Sequence, residues 1–146
     1  MVNGRKGETV REERKRSGKS DAKIRTFRDL HVYRNALNAA MEIYEISKSF
    51  PIEERYSLTD QIRRSSRSVC ANTGEAWRKR RYQAAFVSKL NDSEGEAAET
   101  QVWLDIALRT QLINETQWRK LDEQYEIILG QLVKMINEPK KWCLPK

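Results

Sequence analysis

The strongest constraint on the fold of this chain is a row of apolar side chains near its C-terminal end. They recur at alternating intervals of three and four residues, and they are Trp118, Leu121, Tyr125, Ile128, Leu132 and Met135. This heptad spacing places them on one face of a helix, and that face must be buried against other helices. Asn114 is a suitable N-cap with Gln117 at the third helical position, and the helix is predicted to end near Asn137, before Pro139.

Three earlier segments have the same helical period. The first helix is predicted to begin near Asp29, as its N-cap, and to end before Pro51. The second is predicted over 57–77 and the third over 82–110. No segment has the alternating pattern of a strand, and the short connections make neighbouring helices antiparallel. The chain is therefore predicted to be all-α, an antiparallel up-down four-helix bundle over residues 27–138.

The first predicted helix has two apolar rows, which is more than a single bundle requires. The second of these rows contains Val32, Ala36, Ala39, Ile43, Ile46 and Phe50. We predict that this row is an oligomer interface that meets another subunit. The alternative is a first helix that is deeply buried within its own chain.

The second predicted helix and the residues after it are basic and rich in small side chains. Ser57 and Asp60 have the spacing of a capping box, and Gly74 favours a kink or break. The cations that we predict to contact nucleic acid are Arg63, Arg64, Arg67, Arg78, Lys79, Arg80 and Arg81. Guanidinium groups bind phosphate through paired hydrogen bonds, and Trp77 and Tyr82 are predicted to stack on unpaired bases. The alternative is that these arginines pair with acids of the third helix or of neighbouring subunits.

Charge and composition locate a tail at each end of the predicted bundle. The formal net charge of the 146 residues is +7, and residues 1–26 contain nine basic and four acidic residues. We predict that residues 1–26 form a flexible basic tail that is a nucleic-acid-binding arm. The alternatives are a solvated extension or an incorrectly assigned start codon. Residues 139–146 are predicted to be a short basic C-terminal tail.

The sequence offers little for catalysis or metal binding. It contains one histidine, His31, two widely separated cysteines, Cys70 and Cys143, and no phosphate-binding loop or nucleophile motif. We therefore predict a protein that is not an enzyme and that uses no metal or cofactor. No apolar run approaches the length of about 20 residues that crosses a bilayer, so we predict a cytoplasmic protein without membrane contacts.

Three segments carry a resemblance to a known family. They read FRDLHVYRNAL, FPIEERYSLTDQIRRSSRSVCAN and EAWRKRRYQAAFVSKLNDSEGEAAETQVWLDIAL. They resemble the four-helix bundle family named for proteins encoded in 23S rRNA intervening sequences, over about residues 27–142. The resemblance implies a ring-like homopentamer. The chain departs from the family pattern at Thr73-Gly74, where relatives usually have Ile-Ala, and in the basic tail.

The family is also similar to the accessory variability proteins of diversity-generating retroelements, which are basic pentameric bundles that bind a reverse transcriptase and its template RNA. Our leading hypothesis is a non-enzymatic, oligomeric nucleic-acid-binding scaffold, with RNA as the expected ligand. The alternative hypothesis is a protein-interaction adaptor, for example an accessory subunit of such a reverse transcriptase. In that case the arginines would contact an acidic protein partner or neighbouring subunits.

Overall fold

Four α-helices form the body of the chain in the computed structural model, which describes residues 23–145. They are α1 (His31–Ser47), α2 (Asp60–Arg78), α3 (Gln83–Arg109) and α4 (Glu115–Asn137). α2 packs between α1 and α3, and α4 closes the arrangement by contacting both α3 and α1. The described residues contain no strand, and this all-helical arrangement is consistent with a four-helix bundle.

The apolar row of α4 forms one side of the core, as its spacing predicts. Leu121, Tyr125, Ile128, Leu132 and Met135 are buried, and Trp118 is half-buried against them. The predicted cap is also present. The Asn114 side chain accepts a hydrogen bond from the Gln117 backbone N–H at 2.8 Å, and the Gln117 side chain accepts one from the Asn114 N–H at 2.9 Å.

The row of α1 that we predicted to meet another subunit lies in the core of the single chain. Val32, Ala36, Ala39, Ile43 and Phe50 are buried, and Ile46 is half-buried against the same core. The predicted position of the interface is therefore wrong, because the bundle itself needs this face of α1. The exposed large apolar side chains of α1 are Leu37, Met41 and Tyr44, which are 38%, 47% and 36% exposed.

The first helix begins later than its sequence predicts. Asp29 belongs to a 3-10 turn, Phe27–Asp29, that Thr26 caps, and α1 starts two residues further on. The Asp29 carboxylate accepts backbone hydrogen bonds from Arg25 at 2.9 Å and Thr26 at 3.1 Å, and these bonds lower its pKa. Asp29 therefore stabilises the turn before α1 and is not the N-cap of that helix.

The start of the second helix also differs from the prediction. The predicted capping box of Ser57 and Asp60 is replaced by Glu54, which accepts hydrogen bonds from the Ser57 hydroxyl and the Leu58 N–H. A π-helical turn, Arg55–Thr59, leads directly into α2. The two hydrogen bonds also lower the pKa of Glu54.

α2 continues through Gly74 without the predicted break, and the Phe27 ring packs against the helix at this glycine. A Cβ atom at Gly74 would lie 3.4 Å from Cδ2 of Phe27. One residue earlier, the buried Thr73 hydroxyl donates to the Val69 carbonyl at 2.7 Å and lies 3.0 Å from the Ser93 hydroxyl of α3. Buried hydroxyls thus satisfy one another where small side chains let α2 and α3 pack closely.

Both predicted tails are partly packed against the bundle. Residues 1–22 lie outside the described residues, but Ile24 is half-buried against the core. At the other end Pro139–Lys141 form a 3-10 turn, and Trp142 packs against the core. The Leu144 N–H donates to the Arg80 carbonyl at 3.1 Å, so the C-terminal residues are fixed against the end of α2.

Within residues 23–145, none of the helices has the length and apolar character that a membrane crossing requires.

Candidate nucleic-acid interface

The cations of the second helical segment fall into three groups, and each group has different surroundings. Arg63 is half-buried, and Arg64, Arg67 and Arg78 are exposed. The Arg63 Nε atom donates to the Ser47 hydroxyl at 2.8 Å, and its guanidinium lies 5.0 Å from the centre of the Tyr44 ring. Arg63 therefore fixes α2 to α1, and this contact reduces its freedom to bind a ligand.

Arg64 is paired with the acids of α3. Its two terminal nitrogens contact the carboxylates of Glu96 and Glu99, and the Arg64 side chain is 47% exposed. A second ion pair between the same helices joins Lys89 to Glu75 at 2.9 Å, and this hydrogen bond raises the pKa of Lys89. The alternative that α3 offsets the arginines of α2 thus holds for Arg64.

Arg67 and Arg78 differ from Arg64, because neither forms an ion pair with any residue of 23–145. Both line a groove of about 500 Å³ together with Phe27 and Tyr33. We call this the aromatic groove. The rings of Phe27 and Tyr33 meet edge to face with their centres 4.9 Å apart. Aromatic side chains between guanidinium groups are a common surface for unpaired bases.

Sequence reasoning missed Phe27 and Tyr33 as candidate site residues, because they lie far from the basic segment in the chain. Arg28 was missed as well, and its guanidinium lies 4.5 Å from the centre of the Phe27 ring. Within the second predicted helix, Gly74 is where the Phe27 ring packs, but the residue itself does not indicate which group lies there.

The cations of the turn after α2 differ in their exposure to solvent. Lys79 and Arg81 are exposed and form no ion pair with another described residue, and Tyr82 is 66% exposed. Arg80 is half-buried. Its guanidinium lies 3.4 Å from the centre of the Trp77 ring, and its Nε donates to the Trp77 carbonyl at 2.7 Å.

Trp77 is only 7% exposed, so the prediction that it stacks on bases is wrong. Its indole packs in the core and against Arg80. Tyr82 is the aromatic side chain of this turn that solvent can reach.

Cys70 lies in the aromatic groove, and its chemistry is that of a structural thiol. Burial raises its pKa to about 11, so the thiolate is rare at neutral pH.

Within residues 23–145, no group of three or more His, Cys, Asp or Glu side chains is placed to hold a metal ion.

Comparisons with known proteins identify the family of this chain. Residues 28–137 match the family described as 23S rRNA-intervening sequence protein. One matching crystal structure, at 1.70 Å resolution, is of a protein of unknown function from the S23 ribosomal protein family of Bacteroides thetaiotaomicron. It is 31% identical, with a TM-score of 0.66, and the match covers 73% of this chain and 95% of that one. No curated protein matches. The chain therefore belongs to the 23S rRNA-intervening sequence protein family.

Proposed function

We propose that this protein is a non-enzymatic, oligomeric RNA-binding scaffold. Its RNA surface consists of Arg67, Arg78, Lys79, Arg81 and Tyr82. The observation that carries the proposal is that these four cations are exposed and unpaired among the described residues, whereas the neighbouring Arg64 is neutralised by α3.

The dimensions of this surface suit a nucleic-acid strand. Arg67 and Arg78 are eleven residues apart on one continuous helix, which is three turns and about 16 Å. Their guanidinium groups can each bind a phosphate, and Phe27 and Tyr33 of the aromatic groove between them offer aromatic contact to a base. The single-stranded or looped parts of an RNA expose both phosphates and unstacked bases, so they fit this arrangement better than a regular duplex does.

The test is the affinity of a looped RNA for a double variant, Arg67→Gln with Arg78→Gln. Charge-assisted hydrogen bonds contribute about 1.5–3 kcal/mol each, so loss of two should weaken binding by at least about a hundredfold. Loss of two phosphate contacts should also reduce the slope of log affinity against log salt by about 1.4–1.8. Fluorescence anisotropy across a salt series measures both quantities.

The matched control is Arg109→Gln with Arg119→Gln, which removes the same charge from exposed positions at the far end of α3 and on α4. An equal loss of affinity in both double variants would mean that net charge alone attracts RNA, and would refute the site. If the Arg67/Arg78 variant retained RNA but lost a co-purifying protein, such as a reverse transcriptase, the adaptor hypothesis would replace this one.

We also propose that the scaffold is a homo-oligomer, with the pentamer that the family resemblance implies as the favoured state. The exposed stripe of Leu37, Met41 and Tyr44 on α1 supports self-association, since these side chains lie on one face at spacings of four and three. A second copy of the chain would cover this stripe in place of the buried row that the sequence suggested. Light scattering at micromolar concentration tests the assembly, and a stable monomer there would refute it.

A further inference from the structure

A cavity of about 590 Å³ lies at the end of the bundle where α1 begins and α2 and α4 finish. We call it the end cavity. Its volume is within the usual range of about 300–1,000 Å³ for small-molecule sites. The lining residues that bear on its chemistry are Trp77, Arg80, Lys134, Glu138, Lys141 and Trp142. It is distinct from the aromatic groove, with which it shares no lining residue.

Arg80 gives the end cavity a cation whose position is already fixed. Its guanidinium is held by the stacking contact and the hydrogen bond to Trp77, at 3.4 Å and 2.7 Å. No carboxylate of residues 23–145 forms an ion pair with it. Burial lowers the pKa of Arg80, but a guanidinium remains charged at neutral pH. A positioned, unpaired cation in a concave site favours an anionic ligand.

Among the other charged residues that line the end cavity, positive charges outnumber negative ones. Lys134 is exposed and has no ion-pair partner among the described residues. Lys141 pairs with Glu138 at 3.1 Å, which leaves Arg80 and Lys134 unneutralised. Trp142, which is half-buried, adds an aromatic wall. The combination of two unpaired cations and an indole suits a ligand that carries both a phosphate and a planar ring.

We propose that the end cavity binds a nucleotide, with its phosphate at Arg80 and Lys134 and its base against Trp142. The nucleotide is either a free molecule or the phosphorylated 5′ end of an RNA strand. Both sources present the same chemistry to the cavity. The site goes beyond the proposed RNA surface, because it needs neither Arg67 nor Arg78.

Isothermal titration of the full chain with adenosine 5′-monophosphate tests the proposal, with adenosine and inorganic phosphate as partial ligands. We expect saturable binding of the nucleotide and at least tenfold weaker binding of either part. Arg80→Gln and Lys134→Gln should each weaken nucleotide binding about tenfold. Lys140→Gln is the matched control, because Lys140 is exposed, lies next to Lys141 but does not line the cavity, and is not part of the proposed RNA surface. It should bind as wild type does.

Lys134→Gln also controls for loss of folding, since the exposed Lys134 side chain forms no hydrogen bond or ion pair among the described residues. A 5′-phosphorylated oligoribonucleotide, compared with its 5′-hydroxyl form, distinguishes the two sources. Tighter binding of the phosphorylated strand assigns the site to RNA ends, and equal binding assigns it to free nucleotides. Absence of saturable nucleotide binding at millimolar concentration, or binding unchanged in both cavity variants, would overturn the proposal while leaving the Arg67/Arg78 test unaffected.

Discussion

Replacement of Ile43 by alanine tests which face of α1 lies inside the chain. Ile43 is 0% exposed and belongs to the core cluster. Alanine lacks about three methyl or methylene groups of isoleucine, and each contributes about 0.8 kcal/mol of transfer free energy, or about 2.4 kcal/mol together. A residual cavity adds about 24 cal/mol per Å³, so a void of about 50 Å³ adds about 1.2 kcal/mol. We expect the free energy of unfolding to fall by about 3–4 kcal/mol.

The assay is urea denaturation followed by circular dichroism, at two protein concentrations tenfold apart. The two concentrations separate loss of folding stability from loss of assembly, because only the latter depends on mass action. Val102→Ala is the control, since Val102 of α3 is 52% exposed and lies outside the proposed contact stripe, and it should cost less than about 1 kcal/mol.

The oligomeric states of an Ile43 variant and a Met41 variant provide an independent test of which face of α1 meets another subunit. Met41→Arg should disrupt self-association in light scattering while the monomer remains folded, because it places a charge in the proposed contact stripe. If Ile43→Ala instead lost less than about 1 kcal/mol and dissociated the oligomer, the row that contains Ile43 would be the subunit interface. The assignment of that row to the core would then be refuted.

Two further predictions follow from local contacts. Asn114→Ala should cost about 1 kcal/mol of stability in the same denaturation assay, because it removes the acceptor for the Gln117 N–H, and Asn114→Asp should retain most of it. An unchanged midpoint for the alanine variant would show that the cap is dispensable. Cys70 has a pKa raised from 9.0 to about 11, so its contribution to stability is present below about pH 9 and lost as the pH rises through about 11. Stability should therefore fall more steeply over that range in wild type than in Cys70→Ala, and parallel curves would contradict the burial of this thiol.

Helix content followed from the sequence alone because its determinants are local. The spacing of Leu121, Tyr125 and Ile128 requires one buried face whatever the neighbouring helix is, and the Asn114 cap needs only residues of its own first turn. The prediction for α3, residues 82–110, differs from the observed Gln83–Arg109 by one residue at each end.

Which face of each helix is buried and which is exposed could be determined only from the tertiary structure. The first predicted helix has two apolar rows, and packing against α2 and α4 determines that Ile43 of one row is buried and Leu37 of the other is exposed. The same holds for the arginines, which look alike in sequence. Two acids of α3 pair with Arg64, and none pairs with Arg67. The interaction between two charges depends on the distance between them in the folded protein, and the order of residues in the sequence does not determine that distance.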